Sequence, residues 1–337
     1  MKIIVDAFGG DNAPEAIIEG AAAAVKELGV EIILTGKKEI IEKVAAEKNI
    51  SLENIEIEDC SEVIEMCDDP TDVLKKKKDS SMSVGLRMLS ENKGDAFVSA
   101  GSTAALVVGA TLIVKRLKGI KRPALATVLP CEKKGSLLLD VGANAVCRPQ
   151  MLLQFAVMGS VYMNKIYGIE NPNVGLVNIG AERTKGTELQ LETYELLEKS
   201  GLNFSGNIEP RDIPSSDCDV IVADGFTGNV ILKLTEGLAK TFSKKIKAIF
   251  KKNIFTKMAT IPLLSGIKDF KKSMDYSEHG GAPLLGTLKP VIKAHGSSNS
   301  KAVKNAIRQA AKCVESKMIE KFMEGINALP EMKEEKE

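Results

Sequence analysis

Five short segments of this chain combine tight-turn glycines with polar side chains suited to hold an anion. They are DAFGGD (Asp6–Asp11), DVGAN (Asp140–Asn144), GAERTKG (Gly180–Gly186), DGFTGN (Asp224–Asn229) and EHGGAPLLG (Glu278–Gly286). The last leads on to HGSS (His295–Ser298). The first four each follow a short aliphatic run and precede a helical pattern. Glycine turns the chain there without a steric penalty. The amides that open the next helix then face outward, and several such helix ends around one crevice attract a phosphate-like anion. Asp6, Asp11, Asp140 and Asp224 stand where strand meets loop. A carboxylate repels phosphate, so these acids read as groups that fix loop amides or orient a lysine.

Other chemistries lack their signatures. No G-x-G-x-x-G follows the first strand, so dinucleotide binding is unsupported, and no G-x-x-x-x-G-K-[ST] marks a P-loop. No G-x-S-x-G elbow supports a hydrolase serine. His279 and His295 are the two histidines, which excludes a His-rich metal site; neither metal nor cofactor is expected. The run Lys75–Lys78 reads as a solvated face.

The elements that must position these loops form an alternating series. Strand-like runs cover Lys2–Val5, Glu31–Thr35, Ala96–Ser99, Ser136–Leu139, Val174–Asn178 and Val220–Ala223. Helical patterns follow over Glu15–Leu28, 38–48, the stretch to Lys115, 149–165 and 186–199, and again after DGFTGN. Pro14 suits a first helical position, with Asn12 or Ala13 as its cap. Such alternation predicts an α/β fold with a doubly wound, largely parallel sheet. Ligands of such sheets bind beyond the carboxyl ends of the strands, so these loops are expected to share one edge. Residues 1–330 read as a single domain, 230–275 as a helical excursion within it, and 331–337 as a charged tail.

The 337 residues include 46 Lys+Arg against 45 Asp+Glu, which disfavours whole-surface nucleic-acid binding. Aromatics at 4% weaken any base-stacking role. The six cysteines have no C-x-x-C spacing, and the N-terminal residues hold no apolar signal core. Both features lead to the expectation of a cytoplasmic protein.

Taken jointly and in this order, the loops resemble the phosphate acyltransferases of bacterial phospholipid synthesis, over residues 1 to about 325. That resemblance implies a fold similar to isocitrate/isopropylmalate dehydrogenases and phosphotransacetylase, with a protruding helical segment. It implies transfer of a fatty acyl group from the thioester of acyl carrier protein to inorganic phosphate. The acyl phosphate would serve a membrane glycerol-3-phosphate acyltransferase, and the enzyme would be a homodimer lying peripherally on the membrane. The family usually reads SAGNTGA where residues 99–105 read SAGSTAA; Ser102 keeps a helix-capping oxygen there.

Phosphate attack on a thioester needs an anion site, an oxyanion site, a path for the thiol and room for an acyl chain. Phosphate carries its own anionic oxygen, so positioning and electrostatics suffice. With the resemblance, Lys185 becomes the phosphate ligand, and Asn229, at a helix N-cap, the donor to the developing oxyanion. His295 becomes a proton donor for the thiolate. The substrate-binding candidates are Asp6, Gly9, Gly10 and Asp11 in the first loop, then Ser102, Asn144 and Gly180. Asp224, Gly228, His279 and Gly280 complete them. Cys147 reads as a small buried thiol in preference to an acyl-enzyme nucleophile.

After DGFTGN the pattern turns long, helical and basic. From Lys233 to Lys257 there are eight lysines and one acid, Glu236. Phe242, Ile246 and Phe250 lie on its apolar side, and Lys240, Lys244, Lys247 and Lys251 mainly on the other. Such a helix can lie on an anionic bilayer, dock the acidic carrier protein, or pack on the core or a partner subunit.

Overall fold

The computed structural model describes residues 1–132, 135–253, 263, 266 and 280–329. Its strands are β1 (Lys2–Asp6), β2 (Glu31–Gly36), β3 (Ile55–Asp59), β4 (Ala96–Ser99), β5 (Ala124–Leu129), β6 (Ser136–Leu139), β7 (Val174–Val177), β8 (Phe204–Ile208), β9 (Val220–Val222), β10 (Ala282–Leu285) and β11 (Val291–Lys293). Its helices are α1 (Glu15–Leu28), α2 (Lys38–Glu47), α3 (Ser81–Ser90), α4 (Thr103–Gly109), α5 (Pro149–Tyr167), α6 (Glu188–Glu198), α7 (Gly225–Phe250), α8 (Ser300–Glu315) and α9 (Met318–Asn327).

The six expected strands form, and every expected helix follows its strand. One cap differs. Pro14 stands just before α1 in helical conformation and supplies no side-chain cap. Asn12 instead donates from Nδ2 to the carbonyls of Ser297 and Ser298, tying the first loop to HGSS. The helix after β4 also stops short: α4 ends at Gly109 and passes into a π-helical turn over Ala110–Lys115.

The strands join one sheet in the order β3-β2-β1-β4-β11-β10-β5-β6-β9-β7-β8. β3, β2, β1, β4 and β11 run parallel. So do β6, β9, β7 and β8. The steps β11–β10, β10–β5 and β5–β6 are antiparallel. The sheet is therefore largely parallel, but its second half runs opposite to its first. This corrects the expectation of one shared edge. DAFGGD and HGSS leave the carboxyl ends of the first half, whereas DVGAN, GAERTKG and DGFTGN leave those of the second. The reversal comes from β5 and β10, which did not stand out as strand-like runs. β10 reads APLL, with a proline in a short strand.

Both faces of the sheet are covered. One core cluster gathers Val5, Val98, Leu139, Phe155, Val220 and Ile307. The other gathers Ile4, Phe97, Leu106, Leu138 and Ile221, and Ile231 and Leu232 of α7 pack against it. Burial on both sides explains why the central strands read as continuous aliphatic runs.

Candidate active site

At the end of β6 the fully buried Asp140 organises the DVGAN loop. Its Oδ1 accepts from the amides of Leu125, Gly142 and Ala143, and its Oδ2 from the amide and Nδ2 of Asn144. Asn144 also donates to the Pro123 carbonyl at 2.7 Å. Its side-chain nitrogen thus serves to fix the loop, one of the roles open to it.

DGFTGN forms the start of α7. The helix is capped by Asp224, which accepts from the amide of Thr227 at 2.9 Å and from its hydroxyl at 2.7 Å. Asp224 thereby holds the helix end. Gly228 is required by packing: a Cβ there would stand 1.9 Å from the Asp140 carbonyl oxygen. The expected cap, Asn229, is not the cap. It lies inside the helix, exposed, with its side-chain atoms 3.6–3.8 Å from where a Cβ of Gly142 would be. Its amide is therefore free of the capping task and stands over the DVGAN loop.

GAERTKG follows Asn178, whose side chain accepts from the Ile179 amide and donates to the Lys185 carbonyl at 2.9 Å. Asn178 escaped the sequence reading, although its place at a strand end was a signal. Lys185 is exposed, and its stem runs past Gly180, where a Cβ would stand 2.9 Å from Lys185 Cγ. Thr187 and Gln190 open α6 with a capping box. The starts of α6 and α7 meet around a pocket of about 330 Å³, to which Thr187, Leu189 and Gln190 contribute from one side and Asp224, Phe226 and Thr227 from the other. Lys185 precedes the lining residue Thr187 by two positions and Asn229 follows the lining residue Thr227 by two; neither lines the pocket itself. Cys147 does line it, and burial pushes its thiol up to about 12, so it is a poor nucleophile at neutral pH.

The first half supplies a second polar centre. Register places Ser99 of β4 opposite Lys293 of β11, and β1 runs beside β4, so Asp6, Ser99 and Lys293 end three neighbouring strands. Ser99 donates to Asp6 Oδ2 at 2.7 Å, and the Phe8 amide to Asp6 Oδ1 at 3.2 Å. Burial raises the Asp6 carboxyl above its usual range. Lys293 is 8% exposed; its amine donates to the carbonyls of Ala100 and Ala294. Burial brings this lysine down to about 8. Sequence reading missed it, although a lone lysine inside the apolar run VIKA was the available clue.

The surrounding loops interlock. A Cβ on Gly9 would stand 2.5 Å from the Gly101 amide nitrogen, and one on Gly10 would stand 2.8 Å from the Gly296 carbonyl oxygen. Asp11 donates its amide to that carbonyl and keeps its carboxylate exposed beside Gly296. Ser102 caps α4 through the Ala105 amide, as expected. His295 accepts from the Ser297 amide at Nδ1, which leaves the neutral ring's proton on Nε2. Burial holds this ring below its ordinary pKa; Lys233, Lys293 and Lys240 act in the same direction, against Glu236. The hydroxyl of the buried Ser298 is without a partner.

α7 links the two centres. Lys233 stands one helical turn beyond Asn229, on the same face. Its charge acts on both Lys293 and His295, while its amine pairs with Glu236 at 3.0 Å. Of the catalytic candidates, His295 feels the charges of Lys233, Glu236 and Lys240 on α7, the helix whose first turn carries Asn229. A Cβ on Gly280 would stand 2.7 Å from the Asn305 carbonyl oxygen of α8, so packing requires a glycine there. His279 falls outside the described residues.

Farther along, α7 leaves the core. Ile231 and Leu232 pack inward, whereas Phe226, Val230, Leu234, Leu238, Phe242 and Ile249 are exposed. Lys240, Lys244, Lys247 and Lys251 are exposed as well; Ile246 and Phe250 are half-buried. Among the described residues no helix is long and apolar enough to cross a membrane.

Residues 1–321 match the family described as "Fatty acid synthesis protein". A protein of Alkaliphilus oremlandii named "Phosphate acyltransferase" is 51% identical over 98% of both chains. One of the same name from Thermoanaerobacter pseudethanolicus is 48% identical over 98% of both. Among solved structures, a phosphotransacetylase from Streptococcus pyogenes superposes with a TM-score of 0.63 at 19% identity, covering 95% of this chain and 94% of that one. A putative 4-hydroxythreonine-4-phosphate dehydrogenase from Salmonella typhimurium reaches 0.51 at 11% identity, covering 93% and 98%. These two bear on the fold alone, and they agree with the expected kinship to phosphotransacetylase and dehydrogenase-like sheets.

Proposed function

Since the chain belongs to the phosphate acyltransferases, acyltransferase enzymes of the fatty acid synthesis protein family, we propose that it uses acyl carrier protein as its donor. In this reading a fatty acyl group passes from the carrier's thioester to inorganic phosphate, giving an acyl phosphate and the free carrier thiol. The observation that carries it is the pocket shared by the starts of α6 and α7, with Lys185 and Asn229 each two residues in sequence from a residue that lines it.

Lys185 binds phosphate as a flexible cation. Asn229, unburdened by capping, donates its amide to the thioester carbonyl as negative charge develops there. Phosphate attacks directly, because the nearby Cys147 thiol stays protonated. The neutral His295 contributes a hydrogen bond rather than an acidic proton, and the Ser298 hydroxyl adds a donor for an anion. Val146, Phe226 and Leu189 give the pocket an apolar side suited to the first carbons of an acyl chain.

The product serves a membrane glycerol-3-phosphate acyltransferase in phospholipid synthesis. The exposed apolar stripe of α7, flanked by lysines, supports a peripheral membrane contact and a homodimer. The same lysines suit the acidic carrier protein.

The deciding experiment incubates the purified protein with palmitoyl-acyl carrier protein, with and without phosphate, and follows free thiol and acyl phosphate by mass spectrometry. Phosphate-dependent acyl phosphate is expected. Product from palmitoyl-coenzyme A alone would overturn the carrier protein as donor, and product from neither would overturn the reaction.

A further inference from the structure

The reaction above leaves a proton to be placed on the departing sulfur, and it leaves one buried cation without a task. Asp6, Ser99 and Lys293 end the adjacent strands β1, β4 and β11, and the Lys293 amine is anchored by the Ala100 and Ala294 carbonyls. A lysine is rarely kept this deep unless its charge is used or compensated. No carboxylate bonds it directly among the described residues; its anchors are neutral carbonyls. Asn229, the oxyanion donor, is one helical turn from Lys233, whose charge reaches Lys293. The carbonyl oxygen and the leaving sulfur of one thioester would thus find their donors along one face of α7's first turns.

We propose that Lys293 is the proton donor to the leaving thiolate, an assignment that rests on the thioester-to-phosphate reaction proposed above. A phosphate oxygen bonds to the acyl carbon, the C–S bond breaks, and its electron pair leaves with sulfur. A proton moves from the Lys293 ammonium to that sulfur, which leaves a neutral amine. The attacking hydrogenphosphate gives up its own proton on becoming an acyl phosphate, and that proton restores the ammonium. Hydrogenphosphate and thioester thus become acyl phosphate and thiol, with no other reactant.

The electrostatics suit the task. A lysine at about 8 is close to an ordinary thiol at about 8.5, the match that favours proton transfer. Burial sets the lowered value. Asp6 and Asp11, from β1 and its loop, pull it up, and Lys233 of α7 pushes it down. His295 is poorly placed for the same work, because its ring is held neutral at pH 7.

The test compares two donors with opposite needs. Palmitoyl-acyl carrier protein releases an alkyl thiolate, which requires a proton. The palmitoyl thioester of 4-nitrothiophenol releases a stable thiolate, which does not. Lys293→Met and Lys293→Arg should each lose about 100-fold or more in turnover of the carrier thioester, the usual range for a lost general acid. Both should keep turnover of the aryl thioester within about threefold of wild type. The arginine variant keeps the charge but cannot release its proton near neutral pH. In the wild type, carrier-thioester turnover should fall as pH rises through about 8, while aryl-thioester turnover should not. Equal losses on both donors, or no loss on either, would overturn the proposal. If the methionine variant does not fold, the arginine variant and the wild-type pH profiles make the same distinction. Absence of phosphate-dependent release from the wild type with either donor would instead overturn the reaction itself, and this assignment with it.

Discussion

Asn229 shows how a single position changes meaning once its helix is placed. Asp224 carries the cap, so Asn229 is not needed for stability. Asn229→Ala should lower turnover roughly 100- to 1000-fold, as for loss of one oxyanion donor. Its thermal stability should stay within about 0.5 kcal/mol of wild type, as for an exposed substitution. A large melting shift with modest kinetic loss would reverse the assignment. Lys185 is exposed. Lys185→Ala should lower phosphate-dependent turnover about 10- to 150-fold, the worth of one hydrogen bond to a charged group. The loss should appear mainly in KM for phosphate, measured at fixed donor, with unchanged melting.

The same logic applies at the scale of an element, where α7 does three jobs along its length. Its first turn must seat against DVGAN, and the Gly228 hydrogen is what lets it. Gly228→Ala would force a Cβ to within 1.9 Å of the Asp140 carbonyl oxygen, so backbone must move. A loss of about 3 kcal/mol is expected from such overpacking, read by denaturant unfolding, together with loss of turnover as Asn229 shifts. Asp224→Ala should cost about 1 kcal/mol by the same measurement, as for an ordinary cap. Beyond the first turns Lys233 and Glu236 face the HGSS loop, and the later turns present an exposed apolar stripe. Phe242→Asp with Ile249→Asp should abolish homodimerisation, sedimentation with anionic liposomes, or both. Turnover of a soluble aryl thioester should persist, since neither side chain lies near the pocket. Unchanged behaviour in light scattering and liposome sedimentation would remove that stripe as a contact surface.

For the whole molecule, the decisive event is the reversal in the middle of the sheet. Much was legible beforehand. Strand runs, the βα order, the bounds of α1 and the Ser102 cap are local, because side-chain periodicity and turn residues are set within a few positions. The roles of the loop acids were legible too: Asp140 and Asp224 do bind their own loops' amides. The family resemblance supplied the chemistry, which composition alone would not have done. What local signals cannot carry is which strands pair and in which direction. Strand β10 reaches β5 across more than 150 residues of sequence, and that pairing turns the second half of the sheet over. It separates loops expected on one edge and leaves α7 to join them. The Lys293 site depends on the same kind of contact. Its burial arises because β11 pairs with β4, almost 200 residues earlier, which brings a lysine beside Ser99 and Asp6. Sequence alone therefore determined six of the strands, the helices that follow them and the chemical vocabulary of the loops, since these depend on near neighbours. Tertiary structure alone decided which of those groups meet and which of them are shielded from water, since proximity and burial are properties of distant segments brought together.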